Sequence, residues 1–397
     1  MHSIQWTVNH MPATDDRWLA ALSPAEAERA RAFHRSFPMY APTPLVRLDA
    51  LARRLRLGAV YVKDESRRFG LNAFKVLGGS YAIARHIAAA LGRDISQMSH
   101  AALLSDAVRE ALGQTTFFTA TDGNHGRGVA WAARELGQKA VVFMPRGTKP
   151  VRMQNIRALG AKVTIEDVNY DACVRMADEH ASRTPGGVLV QDTAWPGYEQ
   201  MPLWVMQGYG TMAAEAAEQM GRRPTHIFLQ AGVGSMPGAV QGYFAGLYPE
   251  NPPRVTVVEA SAAACLYESA RAGDGRPRSV GGDLATMMAG LACGVPNPIA
   301  FDVLKNHAFA FAACPDWVGA MGMRVLGAPL EEDGRVISGE SGAAGLGLLY
   351  ALMTGRAEGL REALGLDETS VVLLFSTEGD TDPDNYRRVV WDGAEGL

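Results

Sequence analysis

Residues 225–242, THIFLQAGVGSMPGAVQG, run from an apolar strand pattern through a glycine-rich turn into a helix pattern. Backbone N–H groups of such a turn can face a phosphate, with the positive end of the helix dipole behind them. The GxGxxxG spacing misses the dinucleotide fingerprint by one residue, yet Glu259, at the end of the next strand pattern, stands where a ribose-binding acid would fall. The turn therefore predicts a phosphate site, and a nicotinamide-binding unit remains an alternative interpretation of it.

The same alternation of strand and helix patterns continues on both sides of this turn. The short apolar runs that predict strands are residues 59–63, 115–120, 140–145, 162–167, 187–192, 225–230, 254–260 and 370–375. Both faces of these runs are apolar, which is typical of a parallel sheet covered by helices on two sides. A first helix is predicted at Pro24, with Ser23 as its cap and Glu26 completing a capping box. The pattern as a whole predicts α/β architecture.

Composition excludes several classes of function. The chain has 397 residues and a net charge of −4, which gives no reason to expect nucleic acid or an anionic membrane as partner. Its length predicts two or three domains at ~100–200 residues each. No apolar run reaches the ~18 residues of a membrane span, and the N-terminal residues lack a signal-peptide pattern. We therefore expect a cytoplasmic protein.

The four cysteines, Cys173, Cys265, Cys293 and Cys314, lie far apart without a CxxC pair. This spacing argues against a zinc site and against a disulfide framework, and no other metal-ligand pattern is present. Pairing of Cys265 with Cys293 stays open at this stage.

Ligands of parallel α/β sheets bind where strands end, so residues at strand ends are candidate site residues. Lys75, within KDESRRFGLNAFKVLGGSYA (residues 63–82), lies between a Gly/Asn turn and a helix predicted over about 75–91. The positive end of that helix disfavours a second positive charge, which lowers the pKa of the lysine and favours the free amine that imine chemistry needs. The alternative is an ordinary surface lysine.

Two further strand ends carry polar side chains. In TATDGNHGRGVA (residues 119–130), Thr121, Asp122, Asn124 and His125 form a turn whose backbone amides can hold a carboxylate. The alternative is that Asp122 or Asn124 only caps a helix at residue 127. In VQDTAWPGY (residues 190–198), Asp192 follows a strand pattern, where aspartate is also common as a turn residue.

The last strand pattern ends in SVVLLFSTEGDTD, residues 370–382. The hydroxyl of Ser376 at its end can hydrogen-bond a heteroaromatic nitrogen without protonating it fully.

Together these motifs resemble the fold type II pyridoxal 5'-phosphate (PLP) enzymes, the superfamily of tryptophan synthase β-subunit and threonine deaminase, from about Pro42 to Trp391. The resemblance implies two open, twisted, mostly parallel sheets covered by helices. It also implies that Lys75 holds the cofactor as a Schiff base and that Asn124 meets the substrate carboxylate and the cofactor's phenolic oxygen. The phosphate would be bound by Gly232, Val233, Gly234, Ser235 and Met236, and the pyridine nitrogen by Ser376.

More narrowly, NAFKVLGGSYA, ATDGNHGRGVAWAA, MQGYGTM, SGESGA-GLG and STEGDTD are similar to diaminopropionate ammonia-lyases, with small departures at Pro196 and Val295. That resemblance implies elimination of D- and L-2,3-diaminopropionate to pyruvate and two ammonia. Asp122 stands where dehydratases of the superfamily have alanine. Its carboxylate can pair with the substrate's β-ammonium and take the Cα proton opposite Lys75, while Asp192 adds a second negative charge. Thr121 and His125 complete the expected substrate contacts.

The resemblance also implies a division of the chain and leaves three rival functions. We expect a large PLP-binding domain of residues 1–87 and 195–397, a small inserted α/β domain of residues 88–194, the active site in the cleft between them, and a homodimer. The rivals are a serine/threonine dehydratase or another β-eliminating lyase, a nicotinamide-dependent oxidoreductase built on Glu259, and a non-catalytic PLP sensor.

Overall fold

The computed structural model describes residues 3–396. Its strands are β1 (Gln5–Val8), β2 (Leu45–Arg47), β3 (Ala59–Asp64), β4 (Thr116–Ala120), β5 (Lys139–Met144), β6 (Lys162–Ile165), β7 (Gly187–Leu189), β8 (His226–Gln230), β9 (Arg254–Ala260), β10 (Ala310–Cys314) and β11 (Val371–Ser376). Every run that the sequence predicted as a strand is a strand, with ends that differ by up to three residues. β1, β2 and β10 were missed.

The strands are connected mainly by helices. These are α1 (Pro24–Arg35), α2 (Asp49–Leu55), α3 (Val76–Ala90), α4 (His100–Leu103), α5 (Asp106–Leu112), α6 (Asn124–Glu135), α7 (Pro150–Arg157), α8 (Tyr170–Arg183), α9 (Gln200–Met220), α10 (Ser235–Leu247), α11 (Cys265–Ala272), α12 (Pro298–His307), α13 (Asp316–Gly327), α14 (Ala344–Met353), α15 (Leu360–Leu364) and α16 (Pro383–Val390). Within residues 3–396, no helix combines the length and the apolar character that crossing a membrane requires.

The chain divides into two compact units. Unit 1 contains Met1–Pro24, Pro42–Ala73 and Met212–Leu397, and unit 2 contains Ala25–Ala41 and Phe74–Thr211. The sequence-based boundaries at residues 88 and 194 differ from these, because α3 belongs entirely to unit 2, where it packs against α6. A boundary at 88 would cut through α3.

Each unit is built on one sheet. Unit 1 has seven strands in the order β1-β10-β9-β8-β11-β3-β2, parallel except for β1 and β2, which pair antiparallel at the two edges. Unit 2 has four parallel strands in the order β6-β5-β4-β7. Every residue of β3, β8, β10 and β11 is buried, as expected for strands covered on both faces. The predicted fold class, two mostly parallel sheets covered by helices, is confirmed.

Glycines allow α3 and α6 to cross closely in unit 2. A Cβ added at Gly128 would lie 2.8 Å from the backbone nitrogen of Val76, and one at Gly79 would lie 3.3 Å from the carbonyl carbon of Gly128. Larger residues would force the helices apart. This packing fixes the first turns of two helices, one preceded by Lys75 and the other by the turn of Thr121 and Asp122.

A buried cluster of charges holds the segment after β3 in unit 1. Lys63 and Arg68 each contact a carboxylate oxygen of Glu215 at 2.7 Å, and Arg68 also contacts Glu65 at 2.9 Å. All four side chains are buried, so the charges must compensate one another. Burial alone would raise the pKa of Glu215, but Arg68 and Lys63 outweigh it and lower the pKa to about 2.

Candidate active site

Lys75 is the residue that caps the start of α3, the position expected from the sequence. Its ammonium donates a hydrogen bond to Oδ2 of Asp192. The Lys75 side chain keeps 23% of its surface exposed, whereas Asp192 keeps 7%. The amine is therefore reachable while its counter-ion is buried, which suits a lysine that has to react.

Asp192 follows β7, and its carboxylate forms an ion pair with Lys75 in addition to its place in a turn. Burial of its carboxylate is the largest single influence and raises its pKa, but the charge and the hydrogen bond of Lys75, together with weaker contributions, outweigh burial and lower the pKa to about 2. The carboxylate stays ionised at neutral pH as a fixed negative charge beside the amine. The alternative of Asp192 as a plain turn residue does not account for this ion pair.

His125 lies near the same carboxylate oxygen of Asp192 as Lys75. Its Nε2 contacts the carbonyl oxygen of Val190 at 3.0 Å, and because a carbonyl only accepts, Nε2 carries the proton. Nδ1 is then an acceptor, 3.9 Å from Oδ2 of Asp192, with no hydrogen-bond partner in the described part of the chain. Burial lowers the pKa of His125, so the ring is neutral. A neutral imidazole with an open acceptor can receive a hydrogen bond from a substrate ammonium.

The turn that contains Asp122 differs from the expected loop, because α6 begins at Asn124 rather than at residue 127. Gly123 occupies the cap position without a side-chain cap bond, so neither Asp122 nor Asn124 serves as a plain helix cap. The hydroxyl of Thr121 accepts a hydrogen bond from the Gly123 N–H at 2.9 Å and closes the turn. Asn124 and His125 then form the first turn of the helix, whose backbone N–H groups point toward the N-terminal end of the helix.

Asp122 points toward an arginine that the sequence did not single out. Nη1 of Arg152, in α7, lies 3.6 Å from Oδ2 of Asp122 and donates to its carbonyl oxygen at 3.3 Å. Burial raises the pKa of Asp122, while Arg152 and then Lys75 oppose the rise. Because 45% of the Asp122 side chain stays exposed, water limits the effect of burial, and we expect an ionised carboxylate at neutral pH.

The glycine-rich turn in unit 1 has the geometry of a phosphate cradle. Gly234 has φ +99°, a conformation that favours glycine, and α10 begins at the next residue. A Cβ at Gly232 would lie 3.2 Å from both Sγ of Cys293 and the carbonyl oxygen of Gly290, so only glycine leaves the turn undisturbed. The turn formed by Gly232, Val233, Gly234, Ser235 and Met236 therefore fits the phosphate of PLP at the start of a thirteen-residue helix.

Asn297 supports this turn, a role that the sequence did not reveal. Its N–H donates to the carbonyl oxygen of Val233 at 2.7 Å, and its amide nitrogen donates to Oγ of Ser235 at 2.8 Å. The same side chain accepts a hydrogen bond from the N–H of Ile299 at the start of α12. The PNP string around it marks a helix start, but only the fold brings that start against the turn.

Ser376 lies buried at the end of β11 in unit 1. Its hydroxyl is within 2.8 Å of the hydroxyl of Ser338. Hydroxyl pairs can rotate their hydrogens, so Ser376 can donate to an aromatic nitrogen while Ser338 donates to Ser376.

Glu259 does not serve as the ribose-binding acid that a nicotinamide enzyme would need. The carboxylate is completely buried and accepts hydrogen bonds from the N–H groups of Leu266 at 2.9 Å and Tyr267 at 2.6 Å, in the first turn of α11. Burial raises its pKa to about 8, although both hydrogen bonds lower it. The cysteines are free thiols, and Sγ of Cys265 lies 3.7 Å from the carbonyl oxygen of Cys293.

Three comparisons place this geometry among known proteins. Residues 37–376 match the model of the pyridoxal-phosphate dependent enzyme family. The diaminopropionate ammonia-lyase of Salmonella typhimurium is 53% identical over 368 residues, 91% of each chain. A crystal structure of holo diaminopropionate ammonia lyase from Escherichia coli superimposes with a TM-score of 0.91 at 46% identity, covering 99% of this chain and 98% of that one.

A second structure of the Escherichia coli enzyme, in complex with an aminoacrylate-PLP azomethine reaction intermediate, has a TM-score of 0.89 at 46% identity over the same share of both chains. The resemblance inferred from the motifs is thereby confirmed. The matched region contains Lys75, Asp122, Asp192, the glycine turn and Ser376. The chain belongs to the pyridoxal-phosphate-dependent enzymes and, within them, to the diaminopropionate ammonia-lyase family.

Proposed function

We propose that this enzyme eliminates ammonia from 2,3-diaminopropionate, in both its D and L forms, to give pyruvate and a second ammonia. The proposal is supported by one amine in unit 2 that pairs with one carboxylate and interacts electrostatically with a second. Lys75 is paired with Asp192, and its charge also acts on Asp122. Two negative charges beside a reactive amine suit a substrate with a second ammonium group. The intermediate in the Escherichia coli structure is the product of such an elimination.

In this proposal the cofactor is held through four kinds of contact. Lys75 binds it covalently, and Asn124 meets its phenolic oxygen. The turn from Gly232 to Met236 binds the phosphate, and Ser376 meets the pyridine nitrogen. When bound, PLP supplies the electron sink for loss of the Cα proton. A hydroxyl partner for the ring nitrogen is compatible with elimination, because rapid loss of the β-group removes the need for a long-lived carbanion.

The chain's own residues hold the substrate and move its protons. The backbone amides at the turn of Thr121 and the side chain of Asn124 bind the carboxylate. Asp122, Asp192 and Nδ1 of His125 receive the β-ammonium. Nζ of Lys75 takes the Cα proton from one isomer and Asp122 takes it from the other, because the two isomers present that hydrogen to opposite sides. The β-nitrogen leaves in its protonated form, which the adjacent carboxylates maintain.

Asp122 separates this function from that of a serine or threonine dehydratase. A hydroxyl substrate carries no second positive charge, so it gains nothing from two carboxylates at the leaving group. The rival built on nicotinamide loses its ribose-binding acid, because the carboxyl group of Glu259, at the end of β9, is buried against the first turn of α11. A sensor without turnover would not need the ion pair of Lys75 and Asp192 next to Asp122.

We also propose that the enzyme works in the cytoplasm as a homodimer. The dimer rests on the family resemblance and on the prevalence of twofold symmetry among soluble oligomers. Light scattering of the purified protein measures this directly.

The experiment that tests the activity is a comparison of kcat/KM for D-diaminopropionate, L-diaminopropionate, serine and threonine on the holoenzyme. We expect both diaminopropionate isomers to be preferred, with pyruvate as the product. A preference for serine or threonine would make the protein a dehydratase.

A further inference from the structure

Tyr209, in α9, carries a buried hydroxyl that the proposed reaction does not use. The residue is 0% exposed, and its oxygen has no hydrogen-bond partner among residues 3–396. Leaving a buried hydroxyl unpaired costs about 1–3 kcal/mol, and folded proteins pair nearly all such groups. A phenol without a well-formed hydrogen bond in the core of unit 2 therefore points to a polar neighbour that can come closer during the reaction.

The ring of Tyr209 lies against the segment that carries Lys75. Its centroid is 4.7 Å from that of Phe74, the residue before Lys75. A Cβ added at Gly78 would lie 2.6 Å from Cε1 of Tyr209, so α3 has a glycine where the ring packs against its first turn. The phenol is thus held beside the start of α3 by two contacts.

The electrostatics identify Lys75 as the charge that this hydroxyl faces. Burial raises the pKa of Tyr209 well above its usual value, and Lys75 is the strongest influence that lowers it. The phenol stays neutral and can both donate and accept a hydrogen bond. In the structure the Lys75 ammonium donates to Asp192 and also interacts with the Tyr209 hydroxyl closely enough to lower the pKa of the phenol, but that hydroxyl makes no hydrogen bond of full geometry within residues 3–396.

We propose that Tyr209 is a positioning residue for Lys75. The hydroxyl of Tyr209 hydrogen-bonds the ε-amine of Lys75 once that amine has left Asp192 and been released from the cofactor. This inference rests on the proposed function. Asp192 favours the charged ammonium, which has no lone pair to act as a base. A neutral hydroxyl holds the amine without charging it, so Nζ can accept the Cα proton while the C–H electron pair remains on the substrate carbon.

The test is Tyr209→Phe, which removes one oxygen and keeps the ring. Since the hydroxyl makes no well-formed hydrogen bond in the resting protein, the unfolding midpoint of the cofactor-free variant should be unchanged or higher. In the holoenzyme, kcat should fall by roughly 2- to 12-fold, the worth of one net hydrogen bond, for the isomer that uses Lys75 as base. KM and the rate with the other isomer should change little.

Tyr81→Phe is the matched control, because Tyr81 is also buried in unit 2 but its hydroxyl accepts a hydrogen bond from Arg85 at 3.3 Å. That variant should lose stability and leave the ratio of the two isomers unchanged. If Tyr209→Phe lowers the unfolding midpoint as Tyr81→Phe does, or slows both isomers equally, the proposal is wrong. Failure of the wild-type enzyme to form pyruvate from diaminopropionate would instead overturn the proposed function itself.

Discussion

Replacing Asp122 with asparagine separates the two proposed bases. The variant keeps the shape of the side chain and removes both its charge and its ability to take a proton. Arg152 also donates to the carbonyl oxygen of Asp122 at 3.3 Å, and this contact does not depend on the carboxylate. The turn should therefore stay in place, and the cofactor absorption should survive because Asp122 is not proposed to hold PLP.

The size of the effect follows from what the carboxylate contributes. A hydrogen bond to a charged group is worth about 1.5–3 kcal/mol, so losing the contact to the β-ammonium lowers kcat/KM by roughly 10- to 150-fold for both isomers. Loss of a general base adds a factor of about 10²–10⁴ for the isomer that depends on it. We expect the D isomer to bear this second loss, with Lys75 serving the L isomer.

The assay is the initial rate of pyruvate formation from each isomer, with saturating PLP. Asp167→Asn is the control, because Asp167 also pairs with an arginine in unit 2, Arg146 at 3.1 Å, but keeps 89% of its side chain exposed. This control should behave as wild type. If Asp122→Asn slows the reaction of both substrate isomers equally and only mildly, Asp122 is not a base and has a structural role only.

Three further variants test the cofactor lysine, the phosphate-binding turn and the buried charge cluster. Lys75→Ala should lower turnover by orders of magnitude and abolish the visible absorption of covalently bound cofactor, and borohydride labelling of another lysine would disprove the assignment. Gly234→Ala should weaken PLP binding in a fluorescence titration, because φ there is +99° and a Cβ would lie 3.2 Å from Leu266. Gly147→Ala is its control, since Gly147 has φ +85° but open space around it. A loss of activity in Gly234→Ala with unchanged PLP binding would count against the phosphate site. Glu215→Gln should destabilise the protein by about 3–5 kcal/mol, since it leaves buried cations uncompensated. The contribution of Glu215 to wild-type stability should be complete above the unfolded pKa of about 4.3 and be lost as pH falls toward about 2. Denaturant titrations of the wild type and Glu215→Gln from pH 7 to 3 measure this contribution. The same pH dependence of stability in the two proteins would contradict it.

The parts of the fold that the sequence predicted are those with long apolar runs. β10 was missed because its sequence, AFAAC, is rich in alanine, which has little intrinsic preference for strands. It becomes a strand because β9 and β1 pair with it on either side. β1 and β2 have four and three residues, too few to show an alternating pattern.

In the site, too, the sequence identified residues that follow clear strand patterns and missed residues whose position depends on packing. Lys75 and Asp192 were identifiable because they follow strand patterns, where parallel sheets place their ligands. Arg152 and Tyr209 lie inside helices, and only packing within unit 2 brings Arg152 against Asp122 and Tyr209 against Phe74, next to Lys75. The start of α6 was placed too late because the turn depends on a side-chain contact of Thr121 rather than on a cap residue.

The proposed elimination is tested most directly by the ratio of ammonia to pyruvate that the holoenzyme forms from 2,3-diaminopropionate. Elimination releases the β-nitrogen as ammonia, and hydrolysis of the resulting enamine releases the α-nitrogen as a second ammonia together with pyruvate. We expect two ammonia for each pyruvate, and neither product with Lys75→Ala. A ratio of one, or consumption of the substrate without pyruvate, would contradict the proposed elimination.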